Sequence, residues 1–414
     1  MEVVHGRCAG IDISKKDAKV CVRVQGAGRR ATASTVTTWG ATSAQILALR
    51  EYLIAQEVTC VVMESTGDYW KPFYYLLEDG LNVMLVNPGE ARNRPGRKTD
   101  VSDAAWLADL GAHGLLRASL VPPPPIRRLR DLTRARTSLR RDRARQVQRI
   151  EKILEDAGIK LTSVVTDIMG VSGRAMLGAL ISGERDPAVI AALVVPNMRS
   201  KTEALTASLA GRFTAHHGFL IGMHLRLADA CTAEIADLDA AITSALSPTM
   251  TQARELLASI PGFSTTVAEV FLAETGGDMS VFPTGGHLAS WAGVCPGANE
   301  SAGRIKSTKT RPGNRHLKGA LGIAAISVSR SKKTYFAAKY RRITARRGPM
   351  KAIVAVEHAM VTAAHAMLIH GDFYRDPGPD YFTTRKPGSA KSRAVRQLET
   401  LGYEVTLKPL SDNT

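Results

Sequence analysis

The chain has 414 residues, with 55 Lys and Arg against 38 Asp and Glu, a formal net charge of +17, and 44% hydrophobic residues. That apolar fraction excludes disorder throughout, and the length points to two or three domains. Five scattered cysteines without a CxxC pair exclude a zinc site and a disulfide framework, and the surplus positive charge points to a polyanionic partner.

Residues 8–14 are a short apolar run holding one acid, Asp12, and residues 19–24 and 32–37 alternate as strands do. Residues 44–55 have helical spacing through Ile46, Leu49 and Leu53. Then come a buried strand over 59–64, a helix over 69–78, a strand over 82–86 and a helix over 100–111. Three strands followed by alternating helices and strands is the order of a ribonuclease-H-like mixed sheet, so the fold class is α/β followed by α. Four prolines at 122–125 end this domain at residue 121.

A helical arm is expected over 126–156, with a seam of Leu129, Leu132, Arg136, Leu139, Arg143, Gln146, Ile150 and Ile153. Its polar positions argue against a clean two-stranded coiled coil and for an arm that grips phosphate along its middle. Residues 158–248 read as helical segments, giving an arm and linker over 122–250. Around Pro261-Gly262 the pattern fits either a DNA-binding helix-hairpin-helix or a plain core helix-turn-helix. Helices are expected over 316–329 and 350–369 within a last domain spanning 251–380, and residues 381–414 read as a mobile basic tail. No apolar run approaches membrane-crossing length, the longest being 188–195, and the N-terminus lacks a signal-peptide core. Together with the cysteines this points to a cytoplasmic protein and away from membranes. His216-His217 sits in a loop-like stretch without acidic neighbours, which makes a metal site there unattractive.

The charge is concentrated. Residues 301–356 hold fifteen Lys or Arg and no acid, and residues 127–152 carry a net +8, leaving −6 for the rest. Exposed surfaces mix their signs, so two such blocks read as polyanion contacts. The expected nucleic-acid ligands are Arg127, Arg128, Arg134, Arg140 and Arg141 on the arm, and Arg304, Lys306, Lys309, Arg311, Arg315 and Lys318 in the acid-free block.

Four acids form the other constellation. Asp12 is read as lying mid-strand, where a lone carboxylate is costly, Glu64 ends the neighbouring strand, and Asp100 and Asp103 share one helix face. Hard oxygen ligands of this kind suit Mg²⁺ or Mn²⁺ and phosphoryl transfer. The plainer roles are a helix cap for Asp100 and a first-turn acid for Asp103.

At these residues the chain resembles a known family. Gly10-Ile11-Asp12-Ile13-Ser14-Lys15, Glu64-Ser65-Thr66-Gly67-Asp68-Tyr69, Val86-Asn87-Pro88 and Lys98-Thr99-Asp100-Val101-Ser102-Asp103-Ala104 resemble motifs of the DEDD-type insertion-sequence transposases related to the Piv-like DNA invertases, also called bridge recombinases. Trp291-Ala292-Gly293-Val294-Cys295-Pro296-Gly297, Ser301-Ala302-Gly303-Arg304 and Gly313-Asn314-Arg315-His316-Leu317-Lys318 match in the downstream half. The resemblance implies a RuvC-like domain whose acids are Asp12, Glu64, Asp100 and Asp103, and a transposase domain whose nucleophile is Ser301, with Ser307 as the fallback. It further implies donor and target DNA, a guiding non-coding bridge RNA, and a homodimer or homotetramer. The readings to separate are a recombinase working through a serine–phosphate intermediate, a RuvC-like metal-dependent junction nuclease, and a catalytically silent nucleic-acid-binding scaffold.

Overall fold

The computed structural model describes residues 2–26, 31–64, 67–89, 103–297 and 299–408, and the chain divides into two compact units, Met1–Val121 and Pro122–Thr414. In the first, β1 (Arg7–Ile13), β2 (Asp17–Val24) and β3 (Ala33–Gly40) form an antiparallel meander. They are followed by α1 (Ser43–Ala55), β4 (Cys60–Glu64), α2 (Trp70–Leu77), β5 (Val83–Val86) and α3 (Asp103–Ala112). The sheet order is β3-β2-β1-β4-β5, with β4 parallel to both β1 and β5. This is the ribonuclease-H-like mixed sheet expected from the element order.

Alternation along β1 sorts its side chains onto two faces. Ala9 and Ile11 enter a core with Val20, Leu49, Leu53, Met63 and Phe73, closed by α1 and α2. Cys8 faces the other way with Cys60, Val62, Leu107 and Leu110, under α3. Gly10 lets α3 touch the strand, because a Cβ there would stand 2.0 Å from the Ala104 carbonyl oxygen and 2.4 Å from the Ala108 nitrogen. Gly111 likewise lies against Cys8 and Val62. With Gly111 beside Cys8 and Ala104 beside Gly10, α3 runs antiparallel to β1 and begins at the strand's carboxyl end. Trp70 packs partly buried against the α1–α2 core, while Tyr69 is exposed.

The second unit starts with α4 (Pro124–Asp156), α5 (Val171–Ile181), α6 (Pro187–Ala191), α7 (Thr202–Leu209) and α8 (Ala215–Ala245). Then come α9 (Pro248–Ala258), α10 (Thr265–Thr275), α11 (Gly285–Trp291), β6 (Asn299–Ser301), β7 (Arg304–Ser307) and α12 (Arg315–Ser329). The unit closes with α13 (Tyr335–Arg347), α14 (Pro349–His370), α15 (Tyr381–Thr384) and α16 (Pro387–Thr400).

The arm α4 packs antiparallel against α8. Leu129 meets Ile242, Arg136 meets Asp239, Arg143 donates to Thr232 and Gln146 meets His224. The polar seam positions, expected to grip phosphate, are therefore matched by polar groups of α8. His217 also differs from its reading as an isolated loop histidine: it closes a capping box with Thr214 at the start of α8, and its Nε2 lies 3.0 Å from Asp156.

Three other expectations change. At Pro261-Gly262 the plain core turn holds, because Gly262 (φ +94) lies so close to α12 that a Cβ would stand 2.6 Å from the Ala324 carbonyl oxygen. Ser264 is the N-cap of α10, accepting from the Val267 amide. Helix α14, at 22 residues and a mean hydropathy of 1.6, does reach membrane-crossing length and apolarity. It packs as a core helix instead, burying Val356, Met360 and Ala364 along with Glu357 and His365. The expected mobile tail carries α16, whose residues are not buried.

Gly10→Ala should lower unfolding stability by about 3 kcal/mol in denaturant melts, since its Cβ meets backbone that cannot give way. Gly178→Ala, in α5 with nothing within 4 Å, should be neutral or stabilising by up to about 1 kcal/mol.

Candidate active site

Gly10 faces α3, and Asp12 lies two residues further along the same face of β1. Glu64 follows Val62 in the same way on β4, and the pairing of Ile11 with Met63 places Asp12 and Glu64 one step beyond it on adjacent strands. Asp103 opens α3, whose start stands at this same end. Three of the acids therefore share one face and one end of the sheet. Asp12 is not mid-strand, as its run suggested; it is the penultimate residue of β1 and exposed, which removes the burial cost argued for it. Glu64 and Asp103 are half-buried, and Asp100 lies outside the described residues.

Among the described residues, no three His, Cys, Asp or Glu side chains group closely enough to hold a metal ion. The donor chemistry nonetheless fits a hard divalent cation, since all the candidate ligands are carboxylates. Lys19 is the residue missed in the sequence: it is the cross-strand partner of Asp12, with its Nζ 2.8 Å from the Thr38 hydroxyl. Only the register of β1 on β2 reveals that a cation borders the acidic end.

The serine sits in a different kind of element. β6 and β7 form a hairpin in which Ser301 pairs with Arg304 across a two-residue turn. Ala302 (φ 50) and Gly303 (φ 73) both adopt positive φ, the signature of a type I′ turn. Glycine takes this conformation freely, whereas Ala302 is held there at a cost of about 1 to 2 kcal/mol. The turn holds Ser301 exposed at its tip, with the exposed Arg304 directly opposite. Ser307, at the far end of the hairpin, is half-buried and its Oγ accepts from the Lys309 amide at 3.2 Å.

Two glycine pairings explain why Trp291–Gly297 and Gly313-Asn314 belong together. A Cβ on Gly313 would stand 2.3 Å from the Gly293 nitrogen, and one on Gly297 would stand 2.6 Å from the Lys309 carbonyl oxygen. The two loops are thus in backbone contact, with Gly297 donating to Lys309 and Asn314 donating to Trp291.

Comparison with known proteins agrees with this arrangement. Residues 9–159 match the IS110 DEDD transposase family, and residues 254–341 match the transposase IS116/IS110/IS902 family. The chain belongs to the IS110 family of DEDD-type insertion-sequence transposases. It is 27% identical over 395 residues to the insertion element IS900 uncharacterized 42 kDa protein of Mycobacterium paratuberculosis, an alignment covering 87% of this chain and 95% of the relative. It is 34% identical over 129 residues to the insertion element IS110 uncharacterized 43.6 kDa protein of Streptomyces coelicolor, covering 30% and 31% respectively. Membership implies DNA substrates and DNA strand cleavage and transfer.

The transposase uses its basic residues in two ways. Arg304, Lys306, Lys309, Arg311 and Arg315 are exposed, and none is in a salt bridge among the described residues. Lys318 is half-buried and donates to Thr310, on the wall of an open cavity of about 700 Å³ that Lys309 and Arg311 also line. On the arm, Arg128 and Arg141 are exposed, but the other expected ligands are engaged within the protein. Arg127 donates to the Pro122 carbonyl, Arg134 binds Glu274 with two bonds of 2.8 Å, and Arg140 reaches Thr266 and Asp239. Charge counting along the sequence could not separate the two groups, because these acids lie 140 and 99 residues away.

Glu274, in the last turn of α10, was also missed, and it joins the arm to the motif loop. It is fully buried and receives Arg134, Arg130 at 3.4 Å, and the Asn314 amide at 2.7 Å. Asn314 in turn caps α12 by accepting from the His316 and Leu317 amides. Burial pushes the Glu274 carboxyl up, but the bonds from Arg134 and Asn314 and the arginine charges outweigh it and bring it below its ordinary value of 4.5. Nearby His316 is held below its ordinary value by burial and by the charge of Arg134.

Glu274→Gln should cost about 3 kcal/mol of unfolding stability at neutral pH by leaving the half-buried Arg130 and Arg134 uncompensated around a buried site. The carboxylate's contribution is complete above pH 4.5 and fades as pH falls through its lower folded value, so the difference from wild type should shrink below pH 4.5. Chemical denaturation across pH measures both effects.

Proposed function

We propose that this transposase cuts and rejoins DNA through a transient phosphoserine at Ser301. The carrying observation is the exposed Ser301 at the tip of a type I′ hairpin, opposite Arg304 and at the head of an acid-free basic segment. Ser307 is a weaker candidate because its hydroxyl oxygen already accepts a backbone amide.

In this mechanism the Ser301 Oγ attacks a DNA phosphorus as the bond from phosphorus to one deoxyribose oxygen breaks, and the serine proton ends on that departing oxygen. Arg304 lies where it can offset the charge gathered on the phosphoryl oxygens. Attack on the serine ester by the hydroxyl of a second strand restores Ser301 and completes strand transfer, with no net loss of a phosphoester bond.

Asp12, Glu64, Asp100 and Asp103 would hold a divalent cation, Mg²⁺ or Mn²⁺, which when bound supplies Lewis-acid stabilisation of phosphate oxygens. In this reading residues 1–121 form the RuvC-like acidic domain and residues 251–380 the serine transposase domain. A homodimer or homotetramer would allow the acids of one subunit to serve the serine of another. Arg128, Arg141, Arg304, Lys306, Lys309, Arg311 and Arg315 form the nucleic-acid surface. Phosphate contacts position a strand without specifying its sequence, so a base-pairing bridge RNA is the proposed source of target choice.

Ser301→Ala, and separately Asp12→Ala with Glu64→Ala, should each lower strand cleavage by about a thousandfold or more while circular dichroism stays unchanged. Chelation with EDTA should do the same to the wild type. Cleavage that survives Ser301→Ala would identify a nuclease using water.

A further inference from the structure

A second cavity of about 790 Å³ lies behind the hairpin, between the chain after β7 and helices α13 and α14. Its floor is apolar, formed by Pro296, Val354 and Ala355, and its polar lining is cationic or neutral: Lys309, Lys339, Lys351 and His358. No acid lines it. Glu357, next to His358 in sequence, is buried with its carboxylate against Gly322 of α12.

Each lining group narrows the ligand. Lys339 is half-buried, and burial depresses its ammonium, so an anion that stabilises the charged form would be favoured. Burial, and secondarily the charge of Lys339, hold the His358 imidazole below its ordinary value. A neutral imidazole both donates and accepts, which suits a base edge better than a phosphate. The first turn of the 22-residue α14 reaches the rim through Met350 and Lys351, adding the positive end of a helix dipole. A flat apolar body carrying a negative charge answers all of these, and the volume suits one nucleotide.

We infer that this cavity holds one unstacked nucleotide of the DNA strand engaged at Ser301, its base against Pro296, Val354 and Ala355 and its phosphate among Lys309, Lys339 and Lys351. The inference rests on the proposed serine chemistry only for the identity of the strand. Its reach is consistent with that: Ser307 on the cavity wall pairs with Asn299, two residues from Ser301. That is about 7 Å of strand, or about two stacked nucleotide steps. Extruding a base into an apolar slot is a general way to reach and hold a reacting strand.

The test titrates the full chain with single-stranded oligonucleotides carrying one 2-aminopurine, whose fluorescence rises when it leaves the stack, in DNA and RNA versions. One position in the DNA series should brighten, equally in wild type and Ser301→Ala. Val354→Trp, which fills the cavity, should abolish the brightening and weaken single-strand binding about tenfold, with duplex binding unchanged. If Val354→Trp fails to fold in a thermal melt, His358→Ala carries the test and should also lose the brightening. Absence of brightening at every position, or brightening that survives both substitutions, overturns the pocket. Brightening with RNA alone overturns its assignment to the DNA strand. Cleavage surviving Ser301→Ala while the brightening persists would remove the serine mechanism and leave the nucleotide pocket standing.

Discussion

A carboxylate with no exposure to solvent needs compensation, and Glu274 receives it from Arg130, Arg134 and Asn314. The partners come from two different parts of the second unit's architecture. The arginines come from the arm helix, and Arg130 also donates to the Ala273 and Glu274 carbonyls at the end of α10. Asn314 belongs to the loop that zips against the Trp291–Gly297 segment and caps α12 with its own side-chain oxygen. One buried acid thus sets where the arm, the motif loop and the first turn of α12 meet. The basic loop that follows the serine hairpin ends at this anchor.

The first unit depends on a different constraint, the contact of α3 with β1 at Gly10. Because that contact orients the helix against the strand, it decides which end of the sheet gathers acids. A side chain at position 10 would lift the start of α3, and with it Asp103, away from Asp12 and Glu64. The arrangement also divides the charge. The acidic end belongs to a unit of ordinary composition, whereas the uncompensated cations cluster around Ser301 in the other unit.

The sheet was legible because β1, β4 and β5 are short apolar runs separated by helical spacing, and that order admits few topologies. The arm was legible from its length and charge. The fate of its arginines was not, since Arg134 and Glu274 lie 140 residues apart and only the fold pairs them. The β6–β7 hairpin escaped notice because strands of three and four residues bearing Ser, Arg and Lys show no apolar alternation. Helix α13 was missed for a related reason: its buried face is largely alanine, a weak hydrophobic signal among many cations. At the acidic site the residue types were readable, but the exposure of Asp12 and the presence of Lys19 opposite it depend on strand ends and register.

The proposed mechanism requires the covalent link to DNA to form at the hairpin serine. The direct measurement is to trap the transposase on a nicked donor strand, digest protein and DNA, and locate the residual nucleotide by mass spectrometry. A nucleotide adduct on Ser301 is expected. An adduct on Ser307 or on any other side chain, or cleaved DNA without an adduct, would contradict it.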